Sequence, residues 1–277
     1  MNQPNSPINP NEMILKADQK SSLQSTHTID WRHWLDRWDA QQTGYLPYRE
    51  ARFNAMLDVL EALMPEEFIA IDLACGPGSI SQRLLTRFSK ASCIAIDLDP
   101  VLLTMGQAVL GDMAGRLRWI EADLMTIDLI SQVGEPQVDA VLSTTALHWL
   151  PTARLLQIYQ QLGGWVRPGG VVLNGDNIPF APHLSTFQTV ANAMSQQRQK
   201  GVFGLQGMED WEHWWQSLAQ EPGMKALLEE RDRRFVWRGA EEHPICELHE
   251  AGLRDAGFQE VSVIWQHMDD RVLMAVR

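Results

Sequence analysis

Three acids stand at or just beyond the ends of short strand-like runs in this chain: Asp72 in 68–73, Asp97 after 93–96, and Asp123 just past 116–121. The first opens the stretch Ile71-Asp-Leu-Ala-Cys-Gly-Pro-Gly-Ser-Ile-Ser81, which reads as a strand, a tight turn and a helix start. Gly76 and Gly78 let the backbone fold back closely and be approached by a ligand. A helix predicted over 79–88 would point its unpaired N–H groups and positive dipole end into the same turn. At the end of the neighbouring strand stands Asp97, 19 residues after Gly78, in a place where one carboxylate can accept from two hydroxyls of a ligand. Past the fourth apolar run, 138–143, His148 is the candidate general base for an acceptor that must lose a proton. It also reads as a histidine packed on Trp149 and bonded locally. A helix-entry loop with no ligand remains the alternative for the turn taken alone.

The spacing separates two cofactor classes. A dinucleotide fingerprint wants glycine at the third place of G-x-G-x-x-G, where this chain has Ser81, and the extra acid Asp72 lies ahead of the glycines. Asp72-Leu-Ala-Cys-Gly-Pro-Gly78 resembles motif I, D-x-G-x-G-x-G, of the class I S-adenosylmethionine (SAM) methyltransferases. Ala74 replaces the first glycine, at little cost if that position is not left-handed. The later landmarks are also similar to this family: Ala122-Asp123-Leu124 after the third strand, Thr144-Thr-Ala-Leu-His-Trp-Leu-Pro151 after the fourth, Val166-Arg-Pro-Gly-Gly170 before the fifth, and an Ala256-Gly-Phe258 segment leading into a final strand pair. The resemblance covers roughly residues 45–277. It implies SAM as cofactor, with Asp72, Ala74, Gly76, Gly78, Asp97, Leu98, Asp123, Leu124 and Ser143 around it. Asp97 would take the ribose, Asp123 the adenine amino group, and Leu124 would donate a backbone N–H. Asp99 is the competitor of Asp97, and fits better as the N-cap of a helix opened by Pro100.

These positions need a scaffold of alternating strands and helices, the signature of a parallel sheet with right-handed crossovers. The expected fold is α/β: a doubly wound seven-stranded mostly parallel sheet with an antiparallel last strand, N-terminal helices, and a helical lid inserted after the fifth strand. Residues 1–28, rich in Asn, Gln, Ser and Pro, read as a flexible tail, because few large apolar groups are present to repay ordering entropy. Residues 29–277 read as one domain, with 29–64 a helical cap and 177–242 the lid. Trp31, Trp34, Leu35 and Trp38 make a helical stripe that Thr43-Gly-Tyr-Leu-Pro47 is expected to end, and Gly163-Gly164 is expected to end the helix before the fifth strand. Tyr45, Tyr48 and Arg49 are candidates for closing over the site, although Arg49 reads rather as a solvated or salt-bridged side chain. Trp149, Trp211 and Trp215 are pocket candidates, with Trp211, Trp214 and Trp215 also readable as plain packing. His183 and His213 are weaker base candidates from the lid.

Composition narrows the partners. The formal charge of −12, from 35 acids against 23 Lys plus Arg, repels a polyanion at long range, so a small-molecule acceptor is expected rather than nucleic acid. No apolar run approaches the ~18–20 residues of a membrane helix, and the start lacks the pattern of a secretory signal, so the expected location is the cytoplasm. Cys75, Cys93 and Cys246 form no CxxC pair, which argues for buried thiols and for no metal or disulfide framework. The expected activity is SAM-dependent methyl transfer to an oxygen, nitrogen or carboxylate of a small molecule. The rivals are a non-catalytic SAM- or product-binding regulator, an NAD-dependent oxidoreductase, and a protein or RNA methyltransferase.

Overall fold

The structure is a computed structural model describing residues 29–126, 128–236 and 243–277; the tail expected at 1–28 lies outside the described residues. The chain divides into a unit at Met1–Asp30 and a unit at Trp31–Arg277, and the second carries the fold. The apolar runs form seven strands, β1 (Ile69–Leu73), β2 (Ser92–Asp97), β3 (Leu117–Glu121), β4 (Val138–Thr144), β5 (Val166–Asn177), β6 (Glu260–His267) and β7 (Asp270–Val276). They join in one sheet in the order β3-β2-β1-β4-β5-β7-β6. Strands β1 to β5 pair in parallel, and β7 alone runs against both of its neighbours.

Successive side chains of a strand point to opposite faces, and here the two faces carry different sizes. Ala70, Cys93, Ala95 and Ala140 meet Phe53, Met56 and Leu60 of α2 (Arg49–Leu63) and Ile80 and Leu84 of α3 (Ser79–Arg87). Ile71, Leu73, Ile94 and Ile96 meet Leu155, Ile158 and Leu162 of α6 (Thr152–Trp165) and Leu253 of α10 (Cys246–Asp255). Helices cover both faces, which is why these strands are apolar throughout. The remaining helices in the sheet region are α4 (Pro100–Leu110) and the short α5 (Leu129–Val133). All three cysteines are free and buried.

The described part of the segment after β5 is mostly helical: α7 (Ser185–Gln199) runs into a π-helical turn at Lys200–Leu205, followed by α8 (Trp211–Leu218) and α9 (Lys225–Arg234). It packs on α1 (Trp31–Tyr45) through tryptophans. Trp34 meets Trp214 edge-on at 5.7 Å, and Trp38 contacts Trp211, Trp214 and Trp215 at 5.1, 5.1 and 6.4 Å. Trp214 is fully buried. The two tryptophan stripes are therefore the two sides of one apolar seam.

α1 ends at Tyr45, inside the segment 43–47 expected to end it, and a Cβ on Gly44 would come within 2.7 Å of the Phe203 ring. α6 continues through Gly163 and Gly164 to Trp165. A Cβ on Gly163 would lie 1.9 Å from the Ala256 carbonyl oxygen, so this glycine permits close approach of the end of α10 and caps nothing.

After β1 the chain takes left-handed backbone at every second residue: Ala74 at φ 58°, Gly76 at 54° and Gly78 at 82°. Ala74 is thus left-handed, the case in which replacing the motif's first glycine carries a cost. An L-residue there costs roughly 1–2 kcal/mol, and the surrounding bonds hold it: Cys75 N–H donates to Ile96 O at 3.0 Å and Gly78 N–H to Cys75 O at 3.0 Å. Asp72 does not face a ligand space. Its Oδ2 accepts the Ser81 hydroxyl at 2.6 Å and the Ser81 amide at 3.2 Å, tying the end of β1 to the first turn of α3. The serine that departs from the dinucleotide pattern thus serves the buried acid. Burial pushes the Asp72 carboxyl up to about 7, against the pull of the two Ser81 bonds.

Replacing Gly163 with Ala is expected to lower unfolding free energy by about 1–3 kcal/mol, the usual cost of overpacking, read as a lower urea midpoint with unchanged slope. Asp72 gives a pH signature. Because its folded pKa lies above the unfolded 3.8, the unfolded chain ionises first, and stability falls as pH rises from about 4 to 7. Asp72→Asn keeps an acceptor for Ser81 and cannot ionise, so its stability relative to wild type should be higher at pH 8 than at pH 5. The ceiling is about 1.4 kcal/mol per pH unit. A difference constant with pH would show that Asp72 titrates normally.

Candidate functional site

The order of the strands reverses between β1 and β4, and open α/β sheets bind ligands in the crevice at such a point, outside the carboxyl strand ends. A cavity of about 710 Å³ lies there. Its floor is the turn Ala74 to Pro77, Asp97 to Asp99 after β2, Ala122 to Leu124 after β3, Thr144 to Ala146 after β4, and Asn177 ending β5. Its roof is Trp38, Tyr45 and Arg49 from the N-terminal helices, with Ala191, Arg198, Trp211 and Arg231 from the insertion.

Asp97 is the hinge of the floor. Its Oδ2 accepts Gly76 N–H at 2.7 Å and its Oδ1 accepts Asp99 N–H at 2.8 Å. A carboxylate has about four lone-pair sites, so two remain for hydroxyl donors. Burial raises this carboxyl to about 6, the Asp99 charge adding to the rise and the Asp99 and Gly76 amides opposing it. Asp123 Oδ1 accepts Met125 N–H at 2.8 Å, which turns the chain after β3 and leaves the carboxylate on the cavity wall. Asp99 caps α4, accepting from Val101 and Leu102 at 2.9 and 3.2 Å, as its place before Pro100 predicts. It also receives Arg231 Nε at 2.7 Å, which the sequence does not announce. Arg234 donates to Leu98 O at 2.9 Å and pairs with Glu121 at 2.8 Å, so α9 is strapped to the ends of β2 and β3.

The predicted site residues divide. Ala74, Gly76, Asp97, Leu98, Asp123, Leu124, His148, Tyr45, Arg49, Trp149 and Trp211 line the cavity; Asp72, Gly78, Ser143 and Trp215 do not. Gly78 lies under the Trp119 ring, 2.6 Å from where its Cβ would stand. Ser143 donates its hydroxyl to Leu73 O at 2.8 Å, stitching β4 to β1. Trp215 is covered by the Arg231 guanidinium at 3.8 Å. Arg49, far from ending in water, is buried: it donates to Asp39 at 2.8 Å and to the Ser79 hydroxyl at 2.7 Å, and burial lowers its pKa against the pull of Asp39. His213 is exposed on α8 and bonded to Asp210, and neither it nor His183 reaches the cavity wall.

His148 stands on Trp149 with ring centroids 5.1 Å apart and is joined to Asp176 by its Nδ1 at 2.8 Å. An ionised carboxylate can only accept, so Nδ1 carries the proton. Burial alone would raise Asp176, but the charge and bond of His148, with Arg52 behind it, hold the carboxyl below its ordinary value. Asp176 is the acid that sequence reasoning missed. It lies near the carboxyl end of β5, and the strand-end logic that singled out the other three acids would have found it. Arg52 was missed too: fully buried, it bonds Asp270 at 3.0 Å and the Thr145 hydroxyl at 2.5 Å, and Gly175 leaves room for it.

The donor set suits a SAM-sized molecule: bare left-handed backbone at Gly76, a carboxylate with spare acceptor sites at Asp97, a second acid at Asp123, and apolar walls at Leu98 and Leu102. Among the described residues no group of three or more His, Cys, Asp or Glu is placed to hold a metal ion. No helix of the described residues is long and apolar enough to cross a membrane.

Comparison with known proteins agrees with this geometry. Residues 70–170 match the family model of a methyltransferase domain. The chain is 29% identical over 159 residues to the trans-aconitate 2-methyltransferase of Rhizobium rhizogenes, covering 56% of this chain and 57% of that protein. It is 32% identical over 143 residues to the protein of that name from Methylobacterium radiotolerans, covering 50% of each. The chain thus spans about half the length of the curated relatives it matches. Among solved structures, an O-methyltransferase family protein from Burkholderia thailandensis superposes with a TM-score of 0.53 at 18% identity, over 87% of this chain and 59% of the other. Human N-acetylserotonin methyltransferase in complex with SAM does so with a TM-score of 0.51 at 12% identity, over 92% and 59%. With the sheet order and the left-handed turn after β1, these matches show a methyltransferase domain over residues 70–170, in a chain that shares its fold with S-adenosylmethionine-dependent methyltransferases.

Proposed function

We propose that this protein transfers the methyl group of SAM to a carboxylate oxygen of a small organic acid. The observation that carries the reading is the division of the cavity: Asp97, Asp99 and Asp123 line the floor, while Arg49, Arg198 and Arg231 contribute to the roof. The curated relatives, named for trans-aconitate, supply the acid as acceptor class.

In this reading Asp97 holds both ribose hydroxyls on its two remaining acceptor sites, Asp123 accepts from the adenine amino group, and Leu98 and Leu124 border the base. Ala74 and Gly76 present backbone to the amino-acid end. Asp72, Gly78 and Ser143 act beneath them by fixing the turn. When bound, SAM supplies a methyl group on a sulfonium whose positive charge disappears on transfer. A carboxylate arrives already deprotonated, so the residues need only align it and exclude water, a contribution of up to about 7–11 kcal/mol for ideal alignment. The insertion and Trp211 close the cavity from above, and Tyr45 binds Trp211 N–H through its hydroxyl at 3.1 Å, joining α1 to the insertion.

The His148–Asp176 pair favours a second reading, a hydroxyl acceptor with His148 as general base. The two part on a variant. With a carboxylate acceptor His148→Gln should lower kcat less than tenfold through altered packing; with a hydroxyl acceptor the loss should be ~10² to 10⁴, with the low-pH limb of the rate profile removed.

Cofactor binding has its own signature. Asp97 accepts hydroxyl donors best when ionised, and its carboxyl titrates near 6. Below that pH binding must expel a proton, so calorimetric affinity for SAM and its demethylated product should fall up to tenfold per pH unit, and level off above pH 7. Asp97→Asn should weaken both ligands at least tenfold at pH 8 and flatten the profile. Absence of SAM binding by the wild type would refute the reading; binding with no transfer to any acid, alcohol or phenol would return the chain to a regulatory role.

A further inference from the structure

We infer that Arg198, on α7 of the insertion, is the anchor for a carboxylate of the acceptor other than the one that receives the methyl group, so that the preferred acceptor carries at least two carboxylates. The inference rests on the acid-methylating reading above, and assigns a specificity role that no motif marks.

The cavity roof has three arginines, and their situations differ. Arg49 is held by Asp39 and Ser79, and Arg231 by Asp99. Arg198 has no carboxylate within 4.0 Å among the described residues. Its Nη2 donates to Tyr45 O at 3.2 Å and to the Ser195 hydroxyl at 3.5 Å, while its Nε is buried with no acceptor and its Nη1 bonds none of the described groups. A guanidinium carries five N–H donors in a rigid fork that matches a carboxylate two to two. A charged group partly removed from water and short of acceptors is costly unless something completes it. Arg198 lines the cavity, and the ligand space is where the completing anion can come from.

The geometry also says which carboxylate. A bidentate guanidinium occupies lone pairs on both oxygens and withdraws charge from them, which lowers their power to attack a methyl carbon. A carboxylate clamped in this way is thus a handle, and the reacting one must be a second group. Arg198 is tethered to the carbonyl at the C-terminal end of α1, and Ser195 itself accepts from Gln199 Nε2 at 3.2 Å, which sets the direction of the fork. Neutral polar groups, Gln42, Asn192 and Gln199, share the cavity wall with it and can accept or donate to the remainder of a polar acid.

The test uses the full-length protein saturated with the demethylated cofactor, with citrate as a non-reporting tricarboxylate and acetate as a monocarboxylate, binding being read by calorimetry. Wild type is expected to bind citrate, with Arg198→Met weakening it at least 30-fold and Arg198→Lys about tenfold, while the cofactor Kd stays within twofold for both. In turnover with labelled SAM, Arg198→Met should raise KM for di- and tricarboxylates far more than for monocarboxylates, with kcat changing less. The inference is overturned if wild type binds no di- or tricarboxylate, or if Arg198→Met binds citrate as wild type does. It is also overturned if the variant loses mono- and polycarboxylates equally. Citrate binding that depends on Arg198, without methylation of any acid, keeps the anchor and sinks the acid-methylating reading instead.

Discussion

The turn after β1 places the rest of the site. Left-handed backbone at residues 74, 76 and 78 folds the chain back over the sheet edge, and two carboxylates pin it from opposite sides: Asp72 from below through Ser81, Asp97 from above through the Gly76 amide. Loss of Asp72 would take the partner from the Ser81 amide and hydroxyl, and loss of Asp97 from the Gly76 and Asp99 amides, and an unmade buried bond costs about 1–3 kcal/mol. The two acids therefore divide the work. One is spent wholly on architecture, and the other serves architecture and retains spare acceptor sites facing the cavity.

The second organising interaction is the tryptophan seam between α1 and the insertion. Edge-to-face contacts around Trp214 make a small apolar core separate from the two that cover the sheet. That core fixes α7 and α8 relative to α1, and so determines where Tyr45, Trp211 and Arg198 stand. The straps from Arg231 and Arg234 to Asp99, Leu98 and Glu121 complete the closure at the side of β2 and β3. Of the three arginines over the cavity, Arg49 is paired with Asp39 and Arg231 with Asp99, which leaves Arg198 as the one of the three without an acidic partner among the described residues.

The parts of the site differ in how far one sequence exposes them. The strand-end acids were legible because each lies at or just past the end of a strand-like run, and Asp97 and Asp123 indeed line the cavity. Asp72 obeys the same pattern but is turned inward, because Ser81 stands within bonding distance and takes its charge. Gly163 looked like a stop and is a contact point, where a carbonyl comes too close for a Cβ. Ala74, which stands where the motif has its first glycine, is left-handed. In each case the deciding neighbour is a residue distant in the chain, invisible to any local rule.

What the amino-acid sequence determined alone is the sheet, the turn and the class of cofactor, since these follow from periodicity, chain reversal and the spacing of acids within a few dozen residues. Which tryptophan faces the cavity, that Arg49 is neutralised while Arg198 lacks an acidic partner, and that Asp176 orients His148 were decided only by the tertiary structure. Several of these are pairings between distant parts of the chain, 153 positions apart for Arg198 and Tyr45 and 166 for Trp211 and Tyr45. Their energies depend on which groups burial brings within hydrogen-bond reach, and that is a property of packing rather than of order along the chain.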